Sequence, residues 1–400
     1  MIGKFANILP LLIGHADYLP VAMRTVRELK MDNVKFIDGQ SAFGEVPFNK
    51  DEEKRDLTER ADWLLSKVLV DPNKLIESMP TVIGRQYQGQ WAIYACAMTA
   101  VALCNMIRLY PDLRAKYMPR IPELIDMLMT DEIKYYDTMQ WREDALKSLD
   151  GNKSHMTYLS LLSWAISSYE LAGGDGRYSE LLKRMCDALA RRMLKSRDLN
   201  LPSFPNGIVF LPDMLVSLIA LKNYGRLHNG DYEDLIARWV ENAKRLWIDR
   251  KTGLLVSQYY PNGRRSALHG SYSALNCTYL TMVDENFARQ QYMLLKRQFL
   301  IGNKYVAVRK YLYKTPSLGF HIDAGPIIEG RSPSGTSFAM GAATYFEDWR
   351  VRNGLLKTAE LAGKTIYRNN QRHYKLAEVM LTGEAITLAM RTNFSQKYRN

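Results

Sequence analysis

Cysteine is scarce in this chain: its 400 residues hold four, Cys96, Cys104, Cys186 and Cys277, with no C-x-x-C spacing among them. Each lies in an apolar helical pattern, so a disulfide framework or a cysteine zinc site is not expected and the thiols read as small buried hydrophobes. Histidine is scarce as well, at six residues, and H-E-x-x-H does not occur. A Walker loop and G-x-S-x-G are also missing, so nucleotide, metal and serine-hydrolase mechanisms have no signal, and neither cofactor nor metal is expected. Long hydrophobic runs are absent too. The longest, Trp91 to Ile107, contains Thr99 and Asn105 and falls short of the roughly 20 residues of a membrane span, so it reads as a buried inner helix. The N-terminal M-I-G-K-F-A-N-I-L-P-L-L-I-G has one lysine, a short apolar run broken by Pro10 and no small-residue cleavage signature. No signal peptide is expected, which favours a cytoplasmic location without fixing it.

What is present is a large apolar content, 47% of residues, and a formal net charge of +12. That much apolar material can bury a sizeable core in one repeat-built domain or in two or three ordinary ones. The basic residues alternate with acids, as in K-D-E-E-K-R-D at 50–56 and R-Y-S-E-L-L-K-R at 177–184. Such spacing marks solvated helix faces, so no nucleic-acid partner is expected, and the charge supports only a moderate attraction to anionic surfaces, lipid headgroups included.

Along the chain, residues 1–50 are rich in Pro and Gly with one short helical pattern near Leu19 to Leu29, and read as an arm wrapped on the body. From there helices dominate. The periodicity predicts them at about 56–70, 88–109, 118–130, 153–172, 177–195, 211–227, 232–247, 268–282, 285–300, 334–345, 352–367 and 374–392. They come in pairs: one apolar nearly all round (Q-W-A-I-Y-A-C-A-M-T-A-V-A-L-C), the next amphipathic and charged (E-D-L-I-A-R-W-V-E-N-A-K-R-L-W), as inner and outer helices of concentric rings would be. Polar turns followed by an aromatic or aliphatic residue, such as Pro111-Asp112-Leu113, Gly174-Asp175-Gly176-Arg177-Tyr178, Gly230-Asp231-Tyr232 and Asp284-Glu285-Asn286-Phe287, recur at about 55 to 65 residues. The expected fold is all-α, an (α/α)6 barrel of about six helical hairpins spanning 51–400 as a single domain, with self-association left open. Loops crossing the ring, at 137–153, 198–213, 256–271 and 319–337, are expected to carry the site.

The stretch from Asp137 to Glu170 concentrates the candidate chemistry. A helix starting near Asn152 or Ser154 puts His155, Leu159, Leu162, Ile166 and Tyr169 on one inward face. Trp141, Glu143, Asp144 and His155 would then meet at one rim, where carboxylates and an imidazole beside an aromatic wall can bind and protonate a substrate. Glu143 and Asp144 are adjacent, about 100° apart on a helix, so only one faces inward; the alternative is that both cap a turn. A lone His is equally a satisfied buried polar residue. Asp323, before Ala324-Gly325-Pro326, is either a catalytic acid or the holder of a tight turn. Trp141, Phe210, Tyr272 and Tyr94 are candidates for an apolar pocket wall, or for core packing; Asp213 and His269, at the ends of crossing loops, join Trp141, Phe210 and Tyr272 as candidate substrate-binding residues.

From Gln90 to Gln298 the chain resembles the linalool dehydratase/isomerase family of α/α-barrel lyases. The resemblance rests on Tyr94 with the helix leading to Pro111-Asp112-Leu113-Arg114, W-R-E-D at 141–144, K-S-H at 153–155, G-D-G-R-Y at 174–178, G-I-V-F-L-P-D at 207–213, R-L-H-N-G-D-Y at 226–232 and the Tyr272 region. It implies candidate catalytic roles for Tyr94 and His155 together with an acid. The family's G-I-V-C cysteine is Phe210 here, and its second cysteine has no counterpart. The expectation is a cofactor-independent lyase, isomerase or cyclase using acid-base chemistry on a small apolar substrate of isoprenoid type. The alternatives are a glycan-active enzyme (hydrolase, lyase or epimerase) and a non-catalytic binding protein of the same fold.

Overall fold

The computed structural model describes residues 19–32, 49–80, 87–229, 232–313, 318–321 and 325–398. The fold is all-α in character. Among the described residues six helices are buried on nearly every side: α4 (Gln88–Leu109), α8 (Met156–Leu171), α10 (Leu211–His228), α12 (Gly270–Val283), α14 (Pro333–Tyr345) and α16 (Leu381–Arg391). Small residues let their backbones come close. At Gly341 an added Cβ would lie 2.3 Å from the Thr278 side chain, and the Thr278 hydroxyl donates to the Phe338 carbonyl at 2.6 Å while accepting from Ala342 N–H. Contacts run from α4 to α8, α8 to α10, α10 to α12, α12 to α14, α14 to α16, and from α16 back to α4.

Amphipathic helices cover this set from outside. They are α2 (Lys50–Val68), α6 (Arg120–Met129), α9 (Ser179–Lys195), α11 (Glu233–Leu246), α13 (Glu285–Gln298) and α15 (Trp349–Gly363). Most of their charges face water, with Glu53, Arg60, Arg192, Lys296 and Arg352 buried as exceptions, and their apolar stripes face inward, burying for instance Trp239 of α11 and Leu189 of α9. The short helices α3 (Pro72–Glu77), α5 (Arg114–Tyr117) and α7 (Asp131–Trp141) fill corners, and α1 (Leu19–Met31) packs on α15.

Three features depart from expectation. The loop expected at 137–153 begins as helix: Thr130 caps α7, its hydroxyl accepting from Ile133 N–H, and Arg142 ends it at φ 55°. The described parts of the segment 319–337 are mostly strand and helix, with β5 (Leu318–His321), β6 (Gly325–Ile328) and β7 (Arg331–Ser332) joining β3 (Leu300–Ile301) and β4 (Ala307–Arg309) in the order β3-β4-β7-β6-β5. Between α15 and α16 lies a hairpin, β8 (Thr365–Arg368) with β9 (Gln371–Tyr374), where helix ends were expected. Its turn residues Asn369 and Asn370 both have positive φ, 53° and 56°, the geometry that matches the right-handed twist of paired strands.

A ladder of two residues each, β1 (Val209–Phe210) on β2 (Gln258–Tyr259), pins the segment entering α10. Ser203 Oγ accepts from Phe210 N–H at 3.2 Å and Ser257 O from Leu211 N–H at 2.9 Å. These bonds set Phe210 at the cap of α10 and Asp213 in its first turn.

Candidate functional site

All six buried helices place their N-terminal halves at one end of the molecule, where they meet the elements around a cavity of about 500 Å³. Tyr94 of α4, Asp213 of α10, Tyr272 of α12, Phe338 of α14 and Thr387 of α16 line it, and α8 reaches it through Thr157. Phe210 stands edge-on to both Phe204 and Tyr272, with ring centres 5.5 and 5.6 Å apart, so the wall on this side is a run of aromatic rings. Trp91 lines the cavity too, and among the described residues its buried indole N–H has no acceptor.

Asp213 is the notable polar group. Its carboxyl accepts from Thr157 Oγ1 at 2.7 Å and from Tyr94 Oη at 3.4 Å, with Ser203 a third donor. No cation lies within ion-pair distance of it among the described residues. Burial therefore raises its pKa above the ordinary 3.8, and the three hydrogen bonds only partly oppose the rise. Burial and the nearby Asp213 also keep the Tyr94 phenol protonated, its pKa pushed well up. The second carboxyl at the cavity, Glu384, is committed: Arg60 Nη1 lies 2.7 Å from it and Tyr374 N–H donates at 2.9 Å.

Of the residues expected at the site, Tyr94, Phe210, Asp213 and Tyr272 are brought together at this cavity. The others lie elsewhere. His155 is fully buried at φ 48° in the cap position of α8, with Nδ1 2.6 Å from Asp137 Oδ2 and Nε2 3.2 Å from Glu143 Oε1. Trp141 packs against it, ring centres 5.4 Å apart, and Lys153 bonds Glu143 and the Trp141 carbonyl. Asp144 accepts from Lys134 Nζ and from Leu146 N–H, closing a turn. This cluster fixes the approach to α8, whose residue 157 holds Asp213. His269 caps α12 beside Lys310, Nδ1 to Nζ 3.3 Å; burial, with Lys310 adding to it, brings His269 down to about 4, and burial brings Lys310 down to about 7. Asp323 lies outside the described residues.

Trp91, Thr157, Ser203 and Glu384 escaped the sequence reading. Each sits inside an apolar or mixed helix or in a short turn, where nothing distinguishes it from packing.

At the opposite end a cavity of about 270 Å³ is bordered by Arg108, Lys222 and Arg226, near the C-terminal ends of α4 and α10. Lys222 donates to the Val283 carbonyl at the end of α12. Cations placed there offset the partial negative charge of the helix ends. Among the described residues no group of His, Cys, Asp and Glu could hold a metal ion.

No protein-family profile matches the chain, and neither does any curated protein.

Exchanging His155 tests its place in this scheme. His155→Ala leaves Asp137 buried without its partner, for which a loss of about 3 kcal/mol of stability is expected. Apolar-ligand binding at the large cavity is expected to survive at temperatures where the variant stays folded. Chemical denaturation and ligand titration of the variant measure both, and unaltered stability would contradict the structural role.

Proposed function

We propose that this protein is a cofactor-independent lyase or isomerase built on an (α/α)6 barrel, acting by acid-base chemistry on a small apolar substrate of isoprenoid-alcohol type. One observation carries the reading: a carboxyl group, Asp213, is buried without a cation among the described residues against an aromatic cavity, an environment that shifts it towards the protonated form a general acid needs. The resemblance in motifs and the closed sequence of contacts among six apolar helices support the barrel. About 500 Å³ is within the range of small-molecule sites, roughly 300–1,000 Å³.

In this mechanism the Trp91 indole N–H and the Tyr94 hydroxyl orient the substrate oxygen. Asp213 transfers its proton to that oxygen as the C–O bond breaks, and the bonding pair leaves with water. The rings of Tyr272, Phe210 and Tyr94 face the cationic carbon left behind. The Asp213 carboxylate then removes a proton from the neighbouring carbon, the C–H pair becomes the new C=C bond, and the acid is restored. Alternatively, before that deprotonation, water adds to another carbon of the delocalised cation and its extra proton passes to the Asp213 carboxylate, which restores the acid and gives the isomerase outcome. Phe210, standing where the resembling family has a thiol, makes this wall apolar and leaves the proton traffic to Asp213.

A thermal-shift panel tests the ligand class. Medium-chain terpenoid alcohols are expected to raise the Tm, since each buried CH₂ contributes about 0.8 kcal/mol and a ligand at 100 times its Kd adds about 2.7 kcal/mol of stability. Neutral oligosaccharides are expected to leave it unchanged. Stabilisation by sugars alone would replace this reading with the glycan-active one.

A further inference from the structure

We propose that α1 docks the protein on an anionic lipid surface and so places the mouth of the large cavity against the source of its apolar substrate. The inference rests on the apolar-substrate reading above. Two faces of one short helix carry it. Val21, Thr25 and Leu29 are buried, and Thr25 and Leu29 form part of the cavity lining. The opposite face presents Leu19, Met23 and Met31, the last two 66% and 69% exposed, interleaved with Arg24, Arg27 and Lys30. At 100° per residue these six side chains share the outward arc, and no acid falls within it. Glu28 borders the arc, 3.6 Å from Arg27, and Glu329 lies 3.8 Å from Lys30, both pairs exposed enough to exchange for phosphate; Asp32 turns inward and accepts from the backbone N–H groups of Asn303, Lys304 and Tyr305.

A helix face that serves only to be solvated carries charge without large apolar side chains. A face that meets another protein's core is depleted of lysine and of net charge, whereas this one gathers three cations and no acid. Mixed methionine, leucine and arginine on one face of a helix that lies flat is the chemistry of a bilayer interface: the apolar groups enter the acyl boundary and the cations meet phosphate.

The helix is also fixed in place over the cavity. Thr25 Oγ1 donates to the Leu361 carbonyl at 3.0 Å and Arg331 Nη2 to the Leu29 carbonyl at 3.1 Å. A second element at the cavity repeats the pattern. The β8–β9 hairpin is flanked by the lining residues Gly363 and Tyr374 and exposes Lys364, Tyr367 and Arg368. An aromatic ring beside cations suits the headgroup layer.

Flotation of the full chain with vesicles tests the proposal. Binding is expected to phosphatidylglycerol–phosphatidylcholine vesicles, not to phosphatidylcholine alone, and to weaken with salt. Arg24→Gln with Arg27→Gln is expected to weaken it on the order of 30-fold, the effect of removing two surface cations. Met23→Asp with Met31→Asp is expected to weaken it as well. All four side chains are exposed, so the folded state should tolerate these changes. Arg238→Gln with Arg245→Gln, exposed cations on α11, is the control and is expected to bind as the parent does.

Absence of vesicle binding, or an equal loss in the control pair, overturns the docking role and, in the second case, returns the effect to net charge. The two readings fail separately. A protein that takes up soluble terpenoid alcohols but ignores vesicles refutes the docking surface alone. One that binds vesicles through α1 but no apolar ligand refutes the substrate reading alone.

Discussion

Asp213→Asn is expected to lower kcat/KM by about 10²- to 10⁴-fold on a substrate that the thermal-shift panel identifies, the usual contribution of a positioned general acid. Asparagine keeps the shape and can still accept from Thr157, but it has no proton to give. Tyr94→Phe, which removes one orienting hydrogen bond, is expected to cost less. The pH dependence has a definite sign. The Asp213 pKa is raised in the folded state, so activity that needs the acid is expected to fall as pH rises through that raised value. Stability follows the same direction: the folded protein binds this proton more tightly than the unfolded chain does. The contribution is therefore fully present below the ordinary value of 3.8 and is lost as pH rises through the folded-state value. Asp213→Asn should remove both slopes. Parental turnover in Asp213→Asn, with an unchanged pH profile, would exclude Asp213 as the acid.

Arg391→Met is expected to lose about 3–5 kcal/mol of folding stability, because it takes from Glu53 and Asp56 the one cation that the two carboxylates share. Arg391 Nη2 lies 2.9 Å from Glu53 Oε2, its Nη1 pairs with Asp56, and Arg352 also bonds Glu53. Arg60 joins Asp56 to Glu384 of α16. The cluster thus clamps α2, α15 and α16 at the point where the last buried helix meets the first. Burial alone would raise the pKa of Glu53 and Asp56, and the arginines outweigh it and hold both below the ordinary carboxylate values. For groups shifted down in the fold, stability is present above the unfolded-state pKa, near 4, and is lost as pH falls towards the folded-state values. Arg391→Met should flatten this acid limb of a stability-against-pH curve measured by denaturant titration. Glu53→Gln added to Arg391→Met is expected to recover part of the loss, since it removes a buried charge that Arg352 alone would then have to balance.

The helical character was legible because burial on all sides requires a largely apolar composition, as along Trp91 to Ile107, while covering helices must alternate. The strands were not. Val209–Phe210 and Leu300–Ile301 are two residues each, shorter than any period they could display, and their pairing depends on segments far along the chain. The β8–β9 hairpin did carry a signal in Asn369-Asn370, but apolar spacing on both sides imitated helix ends. At the site, aromatic residues and Asp213 were recognised by type, whereas the partner of each polar group was not. His155 has the features of an acid-base residue by sequence, yet two carboxylates from Asp137 and Glu143 enclose it. Only the path of α7, itself unseen in the pattern, brings Asp137 there.

The return of α16 to α4 has a consequence for how the protein is made. During synthesis α4 leaves the ribosome early, and the surface that α16 will cover stays without its partner until residues 381–391 follow. Contacts this distant in sequence form late, so an incomplete chain presents two apolar flanks, one on α4 and one on α14. Such nascent chains are natural clients of chaperones that hold apolar helices apart. Removing the last buried helix would be expected to leave an open, self-associating curl of helices rather than a shorter working protein, in contrast to an open solenoid, which tolerates the loss of an end repeat.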